Sequence, residues 1–376
     1  MCDQKFSTKE VLKKHSLISL RLALTYIHFS DGIEKLNSAK IRLKFDEHFF
    51  LQLLLALKKK SIKSSKSKRL IDIGPYFRPI SETLDFELTG SQKNVIQDIH
   101  VDFRNGYPMN RLIQGDVGSG KTIVAILVTA LAVGNNVQVA IMVPTEVLAR
   151  QHYDSFKLQL DKANIRCELI LGNMKKNERS NILAGLEDGS ISVVIGTHAL
   201  IQKDVFFNNL GLVVIDEQHR FGVNQRANLI DKGKSPHCLA MTATPIPRTL
   251  SITYYGDMDI SIIDELPLNR IPVVTRVVEP DRLSKVYDFI RTEVSSGRQV
   301  IVVYPLVEES EKLDLAAAVE AYKELSKIQF NGLELGLLHG KMKSIEKKNM
   351  LNKFERNEIS ILVSTTVIEV GIDIPN

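Results

Sequence analysis

The sequence predicts an α/β chain with two parallel-sheet domains, the second incomplete, preceded by a helical connector. Three observations carry this reading. Short apolar runs alternate with amphipathic stretches from Leu84 onward. A segment with two prolines, DELPLNRIP at 264–272, divides that alternation in two. Upstream of it all, residues 7 to 60 carry helical periodicity only. The expected boundaries are 1–80 for the connector and a basic linker, 81–265 for the first sheet domain and 266–376 for the second.

In the connector, the apolar residues Val11, Leu17, Leu20 and Leu22, and again Phe49, Leu51, Leu54 and Leu55, read as a helical pattern. Lys58–Arg69, KKKSIKSSKSKR, follows with seven basic residues and no acid. Such a run reads as a solvated linker, or else as a basic strip along a phosphate backbone. Strands are expected at Arg111–Ile113, Val137–Val143, Cys167–Leu171, Ser192–Ile195, Leu212–Ile215 and Cys238–Met241. After the prolines they are expected at Val273–Val278, Gln299–Tyr304, Leu335–Leu338 and Ser360–Val363. Strands separated by helices form parallel sheets with helices on both faces.

The 376 residues are 44% hydrophobic and 25% charged, the balance of a water-soluble globular chain. A formal charge of +5 permits a polyanionic partner without requiring one. The three cysteines, Cys2, Cys167 and Cys238, show no zinc-ligand spacing, which points to a reducing, cytoplasmic setting. The N-terminus lacks the pattern of a secretory leader. No apolar run approaches the roughly 20 residues of a membrane helix, so a membrane partner is not expected.

Gly115–Thr122, GDVGSGKT, fits G-x-x-x-x-G-K-[ST] between a strand and a helical run. Gly115, Gly118 and Gly120 let the backbone wrap round phosphates, with Asp116, Val117 and Ser119 completing the loop. Lys121 is expected at the β- and γ-phosphates, and Thr122 at Mg²⁺. ATP with Mg²⁺ is therefore the expected cofactor pair. Further on, GLVVIDEQHRFG at 211–222 runs four apolar residues into Asp216 and Glu217. Acids at the end of a buried strand lie on the ligand-binding edge of a parallel sheet. Asp216 is expected to hold Mg²⁺ and Glu217 to activate water. Lys121, Asp216 and Glu217 form the expected catalytic set.

The tetrad DEQH at Asp216–His219 resembles motif II of superfamily 2 helicases. MTATPIPRTL at 241–250 is similar to their motif III, VPTEVLARQH at Val143–His152 to motif Ia and GTHAL at Gly196–Leu200 to motif Ib. FELTGSQ at Phe86–Gln92 resembles the adenine-reading segment. VVYPLVEESEKLD at 302–314, LLHGKM at 337–342 and ILVSTTVIEVGIDIPN at 361–376 look like the motifs of a second RecA-like domain. The resemblance implies that Phe86 and Gln92 meet the base, and that Gly371 and Asp373 face the nucleotide. It implies DNA-backbone contacts from Pro144, Thr145, Gly196, Thr197, His198, Ser364 and Thr365, which position without reading sequence. It also implies coupling of nucleotide to DNA through His219, Thr242, Ala243 and Thr244.

Within the superfamily the chain most resembles the RecG type. The transcription-repair coupling factor shares TATPIPRTL, but Ser119 and DEQHRFGVNQR at 216–226 have the RecG form. An RNA helicase fits PIPRTL and FGVNQR less well. The implied activity is ATP-driven translocation on branched DNA, at forks and Holliday junctions. An N-terminal wedge domain and a motif VI with arginine fingers belong to the family pattern and are not found in these residues. Weak turnover is expected on that ground, with a separate chain supplying the missing parts as a further partner. The competing reading is a nucleotide-binding fragment without motor activity.

Overall fold

The computed structural model describes residues 9–244, 256–267, 273–304, 311–342 and 344–365. The chain divides into two compact units, Met1–Pro267 and Leu268–Asn376.

The first unit opens with three helices, α1 (Lys9–Lys14), α2 (Leu20–His28) and α3 (Ile33–Ser64). The periodicity over 7–60 is thus broken twice. Ser16 adopts a left-handed backbone, and Ser19 caps α2 by accepting from Leu22 N. Gly32 then precedes α3. Helices α2 and α3 pack together, and the buried Arg42 ties them. Its guanidinium donates to Ile18 O at 2.8 Å and pairs with Asp46 at 3.0 Å.

The basic run is not a solvated linker. Lys58–Ser64 is the end of α3, where Lys58 pairs with Asp257 and Lys59 with Asp259, both at 2.6 Å. Downstream, Lys68 Nζ donates to the carbonyls of Asn135 and Asn136. Ser67 Oγ donates to Ser235 O, and the buried Leu70 donates its N–H to Phe103 O. His237 accepts the Met109 N–H at Nδ1, so Nε2 carries the hydrogen it gives to Lys68 O at 2.9 Å. Burial holds His237 below the usual histidine range. Lys58, Lys59 and Lys68 are thus engaged by acids and helix-end carbonyls of their own chain, which a count of charges does not reveal, while Lys60, Lys63 and Lys66 stay exposed.

Helix α4 (Gly74–Glu82) lies on α6 (Lys121–Gly134) through facing glycines. Gly74 has φ +71°, and a Cβ on it would stand 2.9 Å from Gly134 Cα. Helix α5 (Gly90–Arg104) starts in a capping box of Thr89 and Gln92, and the Glu265 carboxylate accepts from Ser91 N at 3.1 Å.

Seven parallel strands form the first sheet: β1 (Asn110–Gly115), β2 (Gln138–Met142), β3 (Cys167–Ile170), β4 (Val193–Gly196), β5 (Leu210–Ile215), β6 (His237–Thr242) and β7 (Asp259–Ile263). Their order is β3-β4-β2-β5-β6-β1-β7. Helices α7 (Glu146–Leu160), α8 (Lys176–Glu187) and α9 (Val223–Ile230) are the remaining α-helices of this unit among the described residues. Strands β2, β4, β5 and β6 are buried along their whole length, as their apolar runs predict. Strand β7 escapes that pattern. It is an edge strand with mixed burial, and its DISII lacks a continuous apolar run. Helix α6 is buried from Ile123 to Val133 against helices and sheet, as expected of a helix apolar all round. Each such large side chain contributes about 1.5–3 kcal/mol when fully buried. Cys167 and Cys238 are free thiols, both pushed up to about 12 by burial.

The second unit holds α10 (Leu283–Ser295), β8 (Val300–Tyr304), α11 (Glu311–Glu324), β9 (Leu335–Leu338), α12 (Ser344–Glu355) and β10 (Ile361–Thr365). Its described sheet has three parallel strands in the order β8-β10-β9. Leu325, Phe330, Ile361 and Val363 form its core. The expected strand at Val273–Val278 is absent. Val273, Val274 and Val277 are 81%, 76% and 95% exposed and pair with no strand. β-Branched residues favour a strand only where a neighbour covers them. Among the described residues no helix is long and apolar enough to cross a membrane.

Gly74→Ala should lower unfolding free energy by about 1–3 kcal/mol, through the Gly134 backbone and the left-handed φ. Urea titration checks this, and an unchanged midpoint would mean that α4 does not seat on α6 through Gly74.

Candidate functional site

Four adjacent parallel strands, β2, β5, β6 and β1, end on one edge of the first sheet. The segments singled out in the sequence follow those ends: Pro144 and Thr145 after β2, Asp216 and Glu217 after β5, Ala243 and Thr244 after β6, and Asp116–Gly120 after β1. Strand β4 joins the same edge, since Met142 pairs with Gly196 in register.

The loop after β1 turns on two left-handed glycines, Gly118 at φ +74° and Gly120 at φ +86°. Both conformations disfavour residues with a Cβ. A Cβ on Gly115 would meet Ser119 Oγ at 2.5 Å, and one on Gly120 would meet the Gln92 amide. Lys121 Nζ donates to Gly115 O at 2.8 Å and to Asp116 O at 2.9 Å. Val117 N donates to Asp116 Oδ1, and Thr122 sits in the first turn of α6. The Ser119 hydroxyl is buried without a hydrogen-bond partner.

Gln92 lies against this loop. Its Nε2 donates to Ser119 O at 2.8 Å, while its Oε1 accepts from Thr89 N. Both ends of the amide are thus engaged with the protein. Phe86 is exposed and lines a separate groove of about 880 Å³ with Phe77, Lys93, Ile96, His100 and Leu131. The expected Phe86–Gln92 pair is therefore split between a loop brace and a groove wall.

Asp216 and Glu217 are both buried. Asp216 Oδ1 accepts from Glu217 N at 3.0 Å. Asp216 Oδ2 lies 2.9 Å from Nε2 of the buried His152 on α7. Glu217 has a left-handed backbone at φ +48°, which costs about 1–2 kcal/mol in a residue with a Cβ. Its Oε2 lies 3.4 Å from His219 Nδ1 and 3.5 Å from Ala243 N. Burial first, then the charge of Asp216, raises Glu217 above the usual carboxylate range. The Ala243 N–H, His219 and Lys121 act against that rise. Thr242 Oγ1 is buried and bonds the Thr244 hydroxyl at 2.9 Å. Of the four residues expected to couple nucleotide to DNA, His219 and Ala243 thus approach the Glu217 carboxylate, while Thr242 and Thr244 bond each other.

Thr145 is exposed and caps α7 by accepting from Leu148 N, with Pro144 beside it. His198 is exposed against Phe221, while Gly196 and Thr197 are buried. Ser364 and Thr365, expected at the DNA backbone, end the strand β10 of the second unit. Both are buried in β10, and the Ser364 hydroxyl has the backbone carbonyls of Thr365, at 2.8 Å, and Leu338, at 3.1 Å, as acceptors for its one hydrogen. Gly371 and Asp373 lie outside the described residues. No role was expected for His152, although Leu148, Ala149, His152 and Phe156 share one buried helical face.

For a metal, the expected oxygen donors are the Thr122 hydroxyl, in the first turn of α6, and the Asp216 carboxylate, which follows β5 on the same sheet edge. Among the described residues no three His, Cys, Asp or Glu side chains gather to hold an ion alone. Two oxygen donors beside a phosphate cradle suit Mg²⁺, which is bound by few protein ligands plus phosphate and water. The left-handed glycines, the N-terminus of α6 and Lys121 suit the phosphates.

Comparison with known proteins matches residues 89–252 to the DEAD/DEAH box helicase family and residues 281–376 to the helicase conserved C-terminal domain. The ATP-dependent DNA helicase RecG of Synechocystis sp. is 47% identical over 98% of this chain and 44% of its own length. That of Thermotoga maritima is 46% identical over 100% of this chain and 48% of its own. A structure of RecG bound to a three-way DNA junction aligns with TM-score 0.82 and 42% identity, over 99% of this chain and 49% of the other. Yeast Dbp5 bound to RNA, at 19% identity and TM-score 0.59, shares the fold alone. The chain spans about half the length of the curated relatives it matches. With its two parallel-sheet units and its motif series on one sheet edge, it belongs to the RecG family of superfamily 2 helicases.

Proposed function

We propose that this chain is the ATP-driven part of a DNA translocase acting on branched DNA. One observation carries the reading: Glu217 stands beside Asp216, feels the Lys121 ammonium and reaches the Ala243 amide. A hydrolytic acid pair and a coupling segment thereby share one carboxylate. The likeness to RecG bound to a three-way junction supports branched DNA as the partner.

In this reading Lys121 exchanges the Gly115 and Asp116 carbonyls for the β- and γ-phosphate oxygens of ATP. Backbone N–H groups of 116–120 and the N-terminus of α6 hold the remaining phosphate charge. Thr122 and Asp216 would hold Mg²⁺, which would supply charge neutralisation at the phosphates. Glu217 takes a proton from the attacking water, and its raised affinity for protons suits that role at neutral pH. Gln92 braces Ser119, so it acts on the base indirectly or after its amide is released. Thr145 and His198, exposed at the ends of neighbouring strands, follow the DNA backbone.

Purified chain should hydrolyse ATP faster with a three-way DNA junction than with RNA of equal length. Lys121→Ala should reduce that turnover about 10²–10³-fold. Glu217→Gln should bind ATP with little change and lose turnover about 10²–10⁴-fold. ATP binding without turnover in the parent would instead identify a nucleotide-binding fragment.

A second expectation concerns pH. The folded chain disfavours ionised Glu217, so its proton affinity is higher folded than unfolded. Below the usual carboxylate range both states are protonated and nothing is lost. Above it, ionisation costs folding free energy. Glu217→Gln should therefore melt above the parent at pH 7, and the gap should narrow at pH 4. Equal gaps at both values would mean that the carboxyl is not held in a desolvated site.

A further inference from the structure

Asp216 is held from two sides. The backbone N–H of Glu217 fixes Oδ1, and His152 Nε2 fixes Oδ2 at 2.9 Å. A carboxylate oxygen only accepts, so Nε2 carries the hydrogen of that bond. The other ring nitrogen, Nδ1, is buried with no hydrogen-bond partner, so the whole polar capacity of this side chain serves Asp216. His152 is buried on α7, packed beside Phe156 and aimed at the carboxylate from a different element.

The terminal torsion of an aspartate is broad, so one bond leaves the carboxylate plane free to swing. Two bonds from separate elements fix it. We infer that His152 is a positioning residue, which orients the Asp216 carboxylate for a divalent cation. This inference rests on the proposed reading of Asp216 as a metal donor. Partners that hydrogen-bond a metal-ligating group act on affinity as well as rate, and losing one typically costs 10–100-fold.

The test compares two polar replacements in the full chain. Gln places an amide nitrogen at the reach of Nε2, whereas Asn is one methylene too short. Mn²⁺ binding in the presence of a non-hydrolysable ATP analogue is read by electron paramagnetic resonance of the free ion. His152→Asn should weaken Mn²⁺ about 10–100-fold, and His152→Gln by no more than about threefold. Affinity for the analogue without metal should match the parent in both, and thermal melts establish that both fold. Mn²⁺ binding by His152→Asn equal to the parent overturns the inference. So does an equal loss in Gln and Asn, or an equal loss of metal-free analogue binding. Asp216→Asn serves as the control for the underlying reading. If it binds Mn²⁺ as the parent does, the metal assignment falls, and the role of His152 with it.

Discussion

A parallel sheet brings the C-terminal end of every strand to the same edge, and the chemistry of this chain depends on that constraint. Residues scattered from Gly115 to Thr244 meet because β2, β5, β6 and β1 are neighbours. Those strands are covered by α6, which is buried from Ile123 to Val133 and enclosed by α4, α5, α7 and the sheet. The helix that receives the phosphate loop is therefore also a central piece of core. Displacing it would expose about eleven residues, Ile123–Val133, at a cost far beyond what one loop interaction returns.

The site is rigid where it is chemical. Glu217 keeps a left-handed backbone because its own N–H binds Asp216 and its carbonyl accepts from Arg220 N at 2.9 Å. Strain of this kind persists only where surrounding bonds over-determine it. Helix α7 connects two parts of the edge, with Thr145 at its cap and His152 two turns later on Asp216. Helix α5 does the same from the other side, where Gln92 closes its own capping box and braces Ser119.

The layout of the first sheet was legible because buried parallel strands are continuous apolar runs, and VVI before Asp216 is such a run. The phosphate loop and the acid pair were legible because their residue types are fixed by phosphate and water chemistry. Strand β7 was not, since an edge strand needs burial on one side only, and DISII looks like loop. Val273–Val278 misled for the opposite reason: valines favour a strand only if a partner arrives. The basic run misled because its partners, Asp257, Asp259 and the end of α6, lie far along the chain. His152 was in plain view within VPTEVLARQH, but the pairing that gives it a role spans 64 residues.

The two buried thiols give the first unit a built-in reporter. Cys167 stands in β3 and Cys238 is the second residue of β6, so they sample opposite sides of the central strands. Burial keeps each thiol protonated at neutral pH, and it is the thiolate that attacks a maleimide or a disulfide reagent. Reaction at either position then requires the sheet to open locally. Labelling rates would measure how often the β3 edge and the β6 centre breathe, without any engineered probe.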